Sequence, residues 1–98
     1  LYRDLIAVIG PNDAMLQAGY SRALLGAGRT EAALEQARHA YRVQPGNPEV
    51  VHIYGYVALQ AGASGEAREI LEKAVAMLPD NALARRHLAM AEAAAPKS

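Results

Sequence analysis

The chain has no cysteine, which excludes a disulfide framework, a thiolate metal site and a cysteine nucleophile. Tryptophan and phenylalanine are also missing, and the only aromatics are five tyrosines. Neither sign of charge is in excess: Lys plus Arg is 10, Asp plus Glu is 10, and the formal net charge is zero. That balance removes the electrostatic footprint of a nucleic-acid or anionic-membrane binder. No apolar run approaches the roughly 18 residues of a membrane span, so no membrane insertion is expected. What is abundant is alanine, 22 of 98 residues. Small side chains cannot fill wide gaps, so a core of this composition must bring backbones close together. The length suits one small domain, 1–98.

Pro11, Pro45 and Pro79 lie 34 residues apart twice over. Self-similarity at such a period is the mark of stacked supersecondary units. Overlaying 11–44 on 45–78 aligns eight identities: the prolines, Tyr20/Tyr54, Leu25/Leu59, Ala27/Ala61, Gly28/Gly62, Ala33/Ala67, Glu35/Glu69 and Ala40/Ala74. Their placement matters more than their number. Asp13, Asn47 and Asn81 each precede an apolar-periodic stretch, where a side-chain oxygen can accept from unpaired backbone N–H groups. Pro48 and Glu49 then suit a first turn. Gly28 and Gly62 stand where a helix stops in a left-handed conformation. Thr30 and Ser64 read as a second pair of N-caps, followed by Glu31 and Glu66, and Gly46 follows the next stop.

The spacing predicts helices near 2–9, 14–27, 31–43, 48–61, 65–77 and 82–95, with turns of about 3–5 residues that make sequential helices antiparallel neighbours. No stretch alternates with period two for long enough to argue a strand. Ser21, Gly55 and Ala89 recur at the same period, on faces where helices would cross, as do Ala33/Ala67 and Ala40/Ala74. A large residue there would force helices apart, and Leu at Gly55 or Ala67 should cost roughly 1–3 kcal/mol. Alanine is common in any helix, but composition does not explain why the capping residues also recur.

These features resemble the tetratricopeptide repeat (TPR), a 34-residue helix–turn–helix unit. The family pattern is Trp, two residues, Leu-Gly, two residues, Tyr, then Ala, three residues, Phe, and finally Pro. Its positions hold Gln17, Tyr20–Ser21, Leu24, Ala33, Ala37 and Pro45 in one unit, and Val51, Tyr54–Gly55, Ala58, Ala67, Leu71 and Pro79 in the next. Ala40 and Ala74 fill a further small-residue position. The resemblance implies an all-α fold, an α-solenoid of antiparallel helix pairs in a right-handed superhelix. It divides the chain into a partial repeat (1–13), two repeats (14–47 and 48–81) and a C-terminal half repeat or capping helix (82–98). It also implies a protein–protein interaction scaffold that binds a partner peptide or helix in a concave groove.

Charge separates the two helices of each unit. Helix 14–27 carries only Arg22 and helix 48–61 only Glu49, whereas the second helices carry Glu31, Glu35, Arg38 and Arg42, then Glu66, Arg68, Glu69, Glu72 and Lys73. Arg68/Glu72 and Glu69/Lys73 are i,i+4 pairs of a solvated face. The second helices are therefore expected on the convex side and the first helices along the concave side. In the last helix Arg85 and Glu92 replace Val51 and Ala58, as expected of a solvating cap. The chain opens at Leu1 without Met, partway through a second helix whose Ile6 and Ile9 need cover, and its N-terminus reads as cut from a longer protein. Exposed apolar ends of this kind favour self-association, so an assembly or oligomerisation element using its end faces is the alternative function. The tail 96–98 reads as frayed.

In the family the ligand side of each first helix shows a stripe at i, i+3, i+7 and i+11. Here it reads Met15, Ala18, Arg22, Gly26; Glu49, His52, Tyr56, Gln60; and Leu83, Arg86, Met90, Ala94. Helical geometry independently sets Glu49, His52, Tyr56 and Gln60 opposite Val50, Tyr54, Val57 and Ala61. The partner-binding residues expected are Arg22, Glu49, His52, Tyr56, Gln60, Arg86 and Met90, with the arginines facing carboxylates. Some family members clamp chaperone C-terminal tails with Lys and Asn; the stripe has neither, so that activity is not expected.

Catalysis has no nominee: there is no Gly-rich phosphate loop, paired His-Glu metal spacing or nucleophile elbow. His39 is expected to face solvent. His52 and His87 fall near equivalent points of adjacent first helices, but two ligands without a third make a poor metal site. No enzyme activity, metal or cofactor is expected. Eight arginines against two lysines suggest a GC-rich, bacterial coding sequence, and in bacteria such repeats often serve envelope, secretion or pilus assembly.

Overall fold

A computed structural model describes residues 14–94. The helix expected at 2–9, the Asp13 cap and the tail 96–98 lie outside the described residues. Five helices follow one another: α1 (Ala14–Gly26), α2 (Thr30–Val43), α3 (Pro48–Gln60), α4 (Ser64–Met77) and α5 (Ala82–Ala94). No strand occurs among the described residues. Every helix boundary recurs 34 residues later: α1 begins at 14, α3 at 48 and α5 at 82, and α2 begins at 30 and α4 at 64.

The boundaries follow local hydrogen-bond chemistry. At α3, Asn47 Oδ1 accepts from the N–H groups of Glu49 (3.0 Å) and Val50 (3.4 Å), and Pro48 occupies the first turn, where no N–H is needed. At α5, Asn81 Oδ1 accepts from Ala84 N–H at 3.0 Å. Gly28 and Gly62 stop α1 and α3 with φ of 81° and 84°. Around each, the N–H of the following residue reaches back to the carbonyl five earlier: Arg29 to Leu24, and Ala63 to Ala58, both at 2.9 Å. This pairing satisfies carbonyls that the helix end would leave bare.

The same bonds correct the expected caps at Thr30 and Ser64. Both are the first residues of their helices, the N-caps are Arg29 and Ala63, and neither cap bonds through a side chain. Arg29 and Ala63 each close one helix through their N–H and open the next through their carbonyl, which accepts from Ala33 and Ala67. A single residue does both jobs, so no separate capping position exists. Gly46 has no positive φ.

Helix α3 is central and packs against all four other described helices, whereas the backbones of α1 and α2 come close to neither α4 nor α5, and long side chains bridge α2 to α4. The principal extents are 42 × 26 × 21 Å. Val50, Val51, Tyr54, Gly55, Val57 and Ala58 of α3 are buried, while α5 buries only Ala84 and Ala91. Ala33, Ala40, Ala67 and Ala74 are fully buried where helices meet. Ser21 is buried too, its Oγ donating to the Ala18 carbonyl at 2.6 Å. Ala89, the third member of the Ser21/Gly55 series, is instead exposed, because no described helix follows α5 to cross it.

Candidate functional site

Helix α3 packs on α1 and on α5, and the expected contact residues lie on these three helices. Arg22, Glu49, Gln60, Arg86 and Met90 are exposed, and His52 and Tyr56 are half-buried. The opposite face of α3 is interior: Val50, Tyr54 and Val57 are buried and Ala61 half-buried. Leu83 (51% exposed) and Met90 (46%) flank Arg86 on the α5 stripe. Ala18 departs from the expected stripe: it is 1% exposed, packed with Ala14, Ala40 and Val50, and cannot touch a ligand.

Three of the expected contact residues converge. Arg22, Tyr56 and Gln60 line a cavity of about 580 Å³ between α1 and α3, with Gly19, Ala23, Leu25 and Gly26 completing the wall. The small residues of α1 leave this space because they have little or no side chain to fill it. Next to it, His52 Nε2 and His87 Nδ1 lie 2.9 Å apart in a hydrogen bond that ties α3 to α5. The Tyr56 ring packs on His87 with centroids 4.9 Å apart. His87 thus belongs to the face, although its neighbour Arg86 occupies the stripe position; its near-equivalence to His52 was the sequence signal. Glu49, in the first turn of α3, and Arg86 and Met90, on α5, do not line the cavity.

Both imidazoles are held below the usual histidine range. For His52 the main cause is burial, followed by the positive charge of Arg22. For His87 it is burial, then His52, then Arg86. Both rings are therefore neutral at pH 7. His39, expected to face solvent, is half-buried instead. No group of three or more His, Asp or Glu able to hold a metal ion occurs among the described residues.

The charge-rich helices conceal a second cluster. The Arg38 guanidinium of α2 donates from Nε to Glu66 Oε2 (2.9 Å) and from Nη2 to Glu66 Oε1 (2.7 Å), spanning to α4. Nη1 of Arg38 also donates to Glu35 at 3.0 Å. The Tyr54 hydroxyl of α3 donates to Glu66 from the core side. The Arg38 hydrogen bonds hold the Glu66 carboxyl below the ordinary range, against the opposing effect of burial, with Tyr54 adding to them. Burial, then the bond to Glu66, pushes the Tyr54 hydroxyl up to about 12. Arg68, Glu69, Glu72 and Lys73 are exposed as expected, but the ion pairs among the described residues are those of Arg38 with Glu35 and Glu66. Lys73 turns away from Glu69 to donate to the Tyr41 hydroxyl at 3.2 Å. The cluster joins three helices away from the cavity and serves packing. No helix among the described residues is long and apolar enough to cross a membrane.

No protein-family model matches the chain, and no curated protein matches it.

Proposed function

We propose that this chain is a helical-repeat interaction module of tetratricopeptide type, a solenoid of antiparallel helix pairs that binds a peptide or helix of a protein partner along α1, α3 and α5. The single observation that carries the reading is the meeting of Arg22, Tyr56 and Gln60 around one cavity on that face. The 34-residue recurrence of every helix boundary supports the repeat architecture. Tyr56 offers a half-buried apolar contact, Gln60 an amide for a peptide backbone, and Arg22 a guanidinium with no ion-pair partner among the described residues. The expected roles are binding roles, with no catalytic group among them.

A second reading, an assembly element using its end face, draws support from α5. There Ala89 is exposed at the position where Ser21 and Gly55 are buried, as if awaiting another helix. One experiment separates the two. The Tyr56→Ala/Arg86→Ala variant is compared with the parent in pull-down from cell lysate and in sedimentation. The groove reading expects the partner lost with oligomer size unchanged. An unaltered partner set would overturn it, and a concentration-independent monomer would overturn the assembly reading.

A further inference from the structure

The hydrogen bond between His52 and His87 needs one of the two facing nitrogens to carry a proton and the other to offer a lone pair. A pair with no added proton satisfies this, and so does a singly protonated pair. A doubly protonated pair cannot, because both nitrogens then present N–H at 2.9 Å. The bond sits on the proposed groove, with Tyr56 stacked on His87 and Arg22 across the cavity from Tyr56. Arg22 faces the pair from α1 and Arg86 flanks it on α5, while no charged side chain of α2 or α4 enters the balance of either ring. The expected contact stripe carries one carboxylate, Glu49, against Arg22 and Arg86.

We propose that protonation of the His52–His87 pair gates this groove, turning a weakly basic face into one that takes up an acidic peptide segment across Arg22, His52, His87 and Arg86. The proposal rests on the groove reading and adds both the chemistry of the partner and its control. Two added charges beside two arginines attract carboxylates strongly, and a bound carboxylate in turn favours the protonated rings. Uptake of peptide and uptake of protons are therefore the same event, and the segment is released as pH returns above the usual histidine range of about 6.5. A charged ring keeps its place because the ligand's carboxylate takes over the partner that each imidazole loses.

The test is calorimetric titration of the chain with an octa-aspartate peptide, which stays largely ionised, at pH 7.5 and pH 5.0. Affinity is expected to rise roughly tenfold at the lower pH, from two added charges at exposed separations. Heats measured in two buffers of different ionisation enthalpy are expected to show net proton uptake. The His52→Gln/His87→Gln variant keeps a hydrogen-bonding pair without a titrating group, and its affinity is expected to be equal at both pH values. Equal affinity of the parent at both pH values, no binding at either, or a persistent pH dependence in the Gln variant would each overturn the gate. Proton NMR of the free chain is an independent check: independent titration of both rings near 6.5 would also overturn it. Failure of the groove itself is separate, because it appears as an unaltered partner set for Tyr56→Ala/Arg86→Ala whatever the pH.

Discussion

A Cβ added at Gly55 would lie 2.6 Å from Cγ and Cδ2 of Leu71, which is fully buried on α4. The clash outweighs alanine's better helix propensity, itself about 1 kcal/mol. Gly55→Ala is expected to lower unfolding free energy by about 1–2 kcal/mol in urea denaturation. Gly65→Ala is the contrast: nothing lies within 4 Å of a Cβ there and φ is not positive, so the same change should be neutral or stabilise by up to about 1 kcal/mol. Gln17 poses the opposite problem on α1. It is 1% exposed and its Oε1 finds no donor among the described residues. A buried acceptor without a donor costs free energy that an apolar group of similar size does not, so Gln17→Leu is expected to raise stability by about 1 kcal/mol. A lower melting temperature for Gln17→Leu would show that the amide is satisfied after all.

Between elements, polar contacts bind helices at two places with different pH responses. Glu66 has its pKa depressed in the folded state, chiefly by Arg38. Its contribution is therefore present above the unfolded value of about 4.3 and lost as pH falls through the lower folded value. The imidazoles of His52 and His87 are also depressed, but these groups are cationic when protonated. The unfolded chain then binds more protons, so their contribution is full above about 6.5 and declines as pH falls from there towards the folded values. Melting followed by circular dichroism should show a first loss of stability as pH falls below about 6.5 and a second below about 4. Only the first should vanish in His52→Gln/His87→Gln. Glu66→Gln should cost about 1 kcal/mol at pH 7, since the pair is partly solvated and screened. An unchanged melt for Glu66→Gln would assign the tie between α2 and α4 to Lys73 and Tyr41 instead.

Among the described helices, burial falls from α3 through α4 to α5. Helix α3 packs on all four neighbours and buries six residues, while α5 packs only on α3 and α4 and buries two. Opening free energy follows buried contact, so amide protons of α5 should exchange faster than those of α3 in native-state hydrogen exchange. Equal protection in both helices would mean that the described residues unfold as one unit. The same gradation leaves Leu83, Met90 and Ala89 of α5 uncovered. They lie where either a ligand or a further helix would gain most from apolar contact.

The five helices, their order and most of their boundaries were legible in sequence because caps, stop glycines and small residues act within one or two turns of chain. Asn47, Asn81, Gly28 and Gly62 do what their chemistry requires almost regardless of the rest of the fold. The outward side of α3 was legible for the same reason: a helix has one period, and Val50, Tyr54 and Val57 claim the interior. Only tertiary structure decided the pairings that cross between helices. Nothing in the spacing tells that Arg38 reaches Glu66 and Tyr54, that Lys73 chooses Tyr41 over Glu69, or that Tyr56 packs on His87. Such choices depend on where neighbouring backbones place long side chains in three dimensions, and a one-dimensional period carries no record of that geometry.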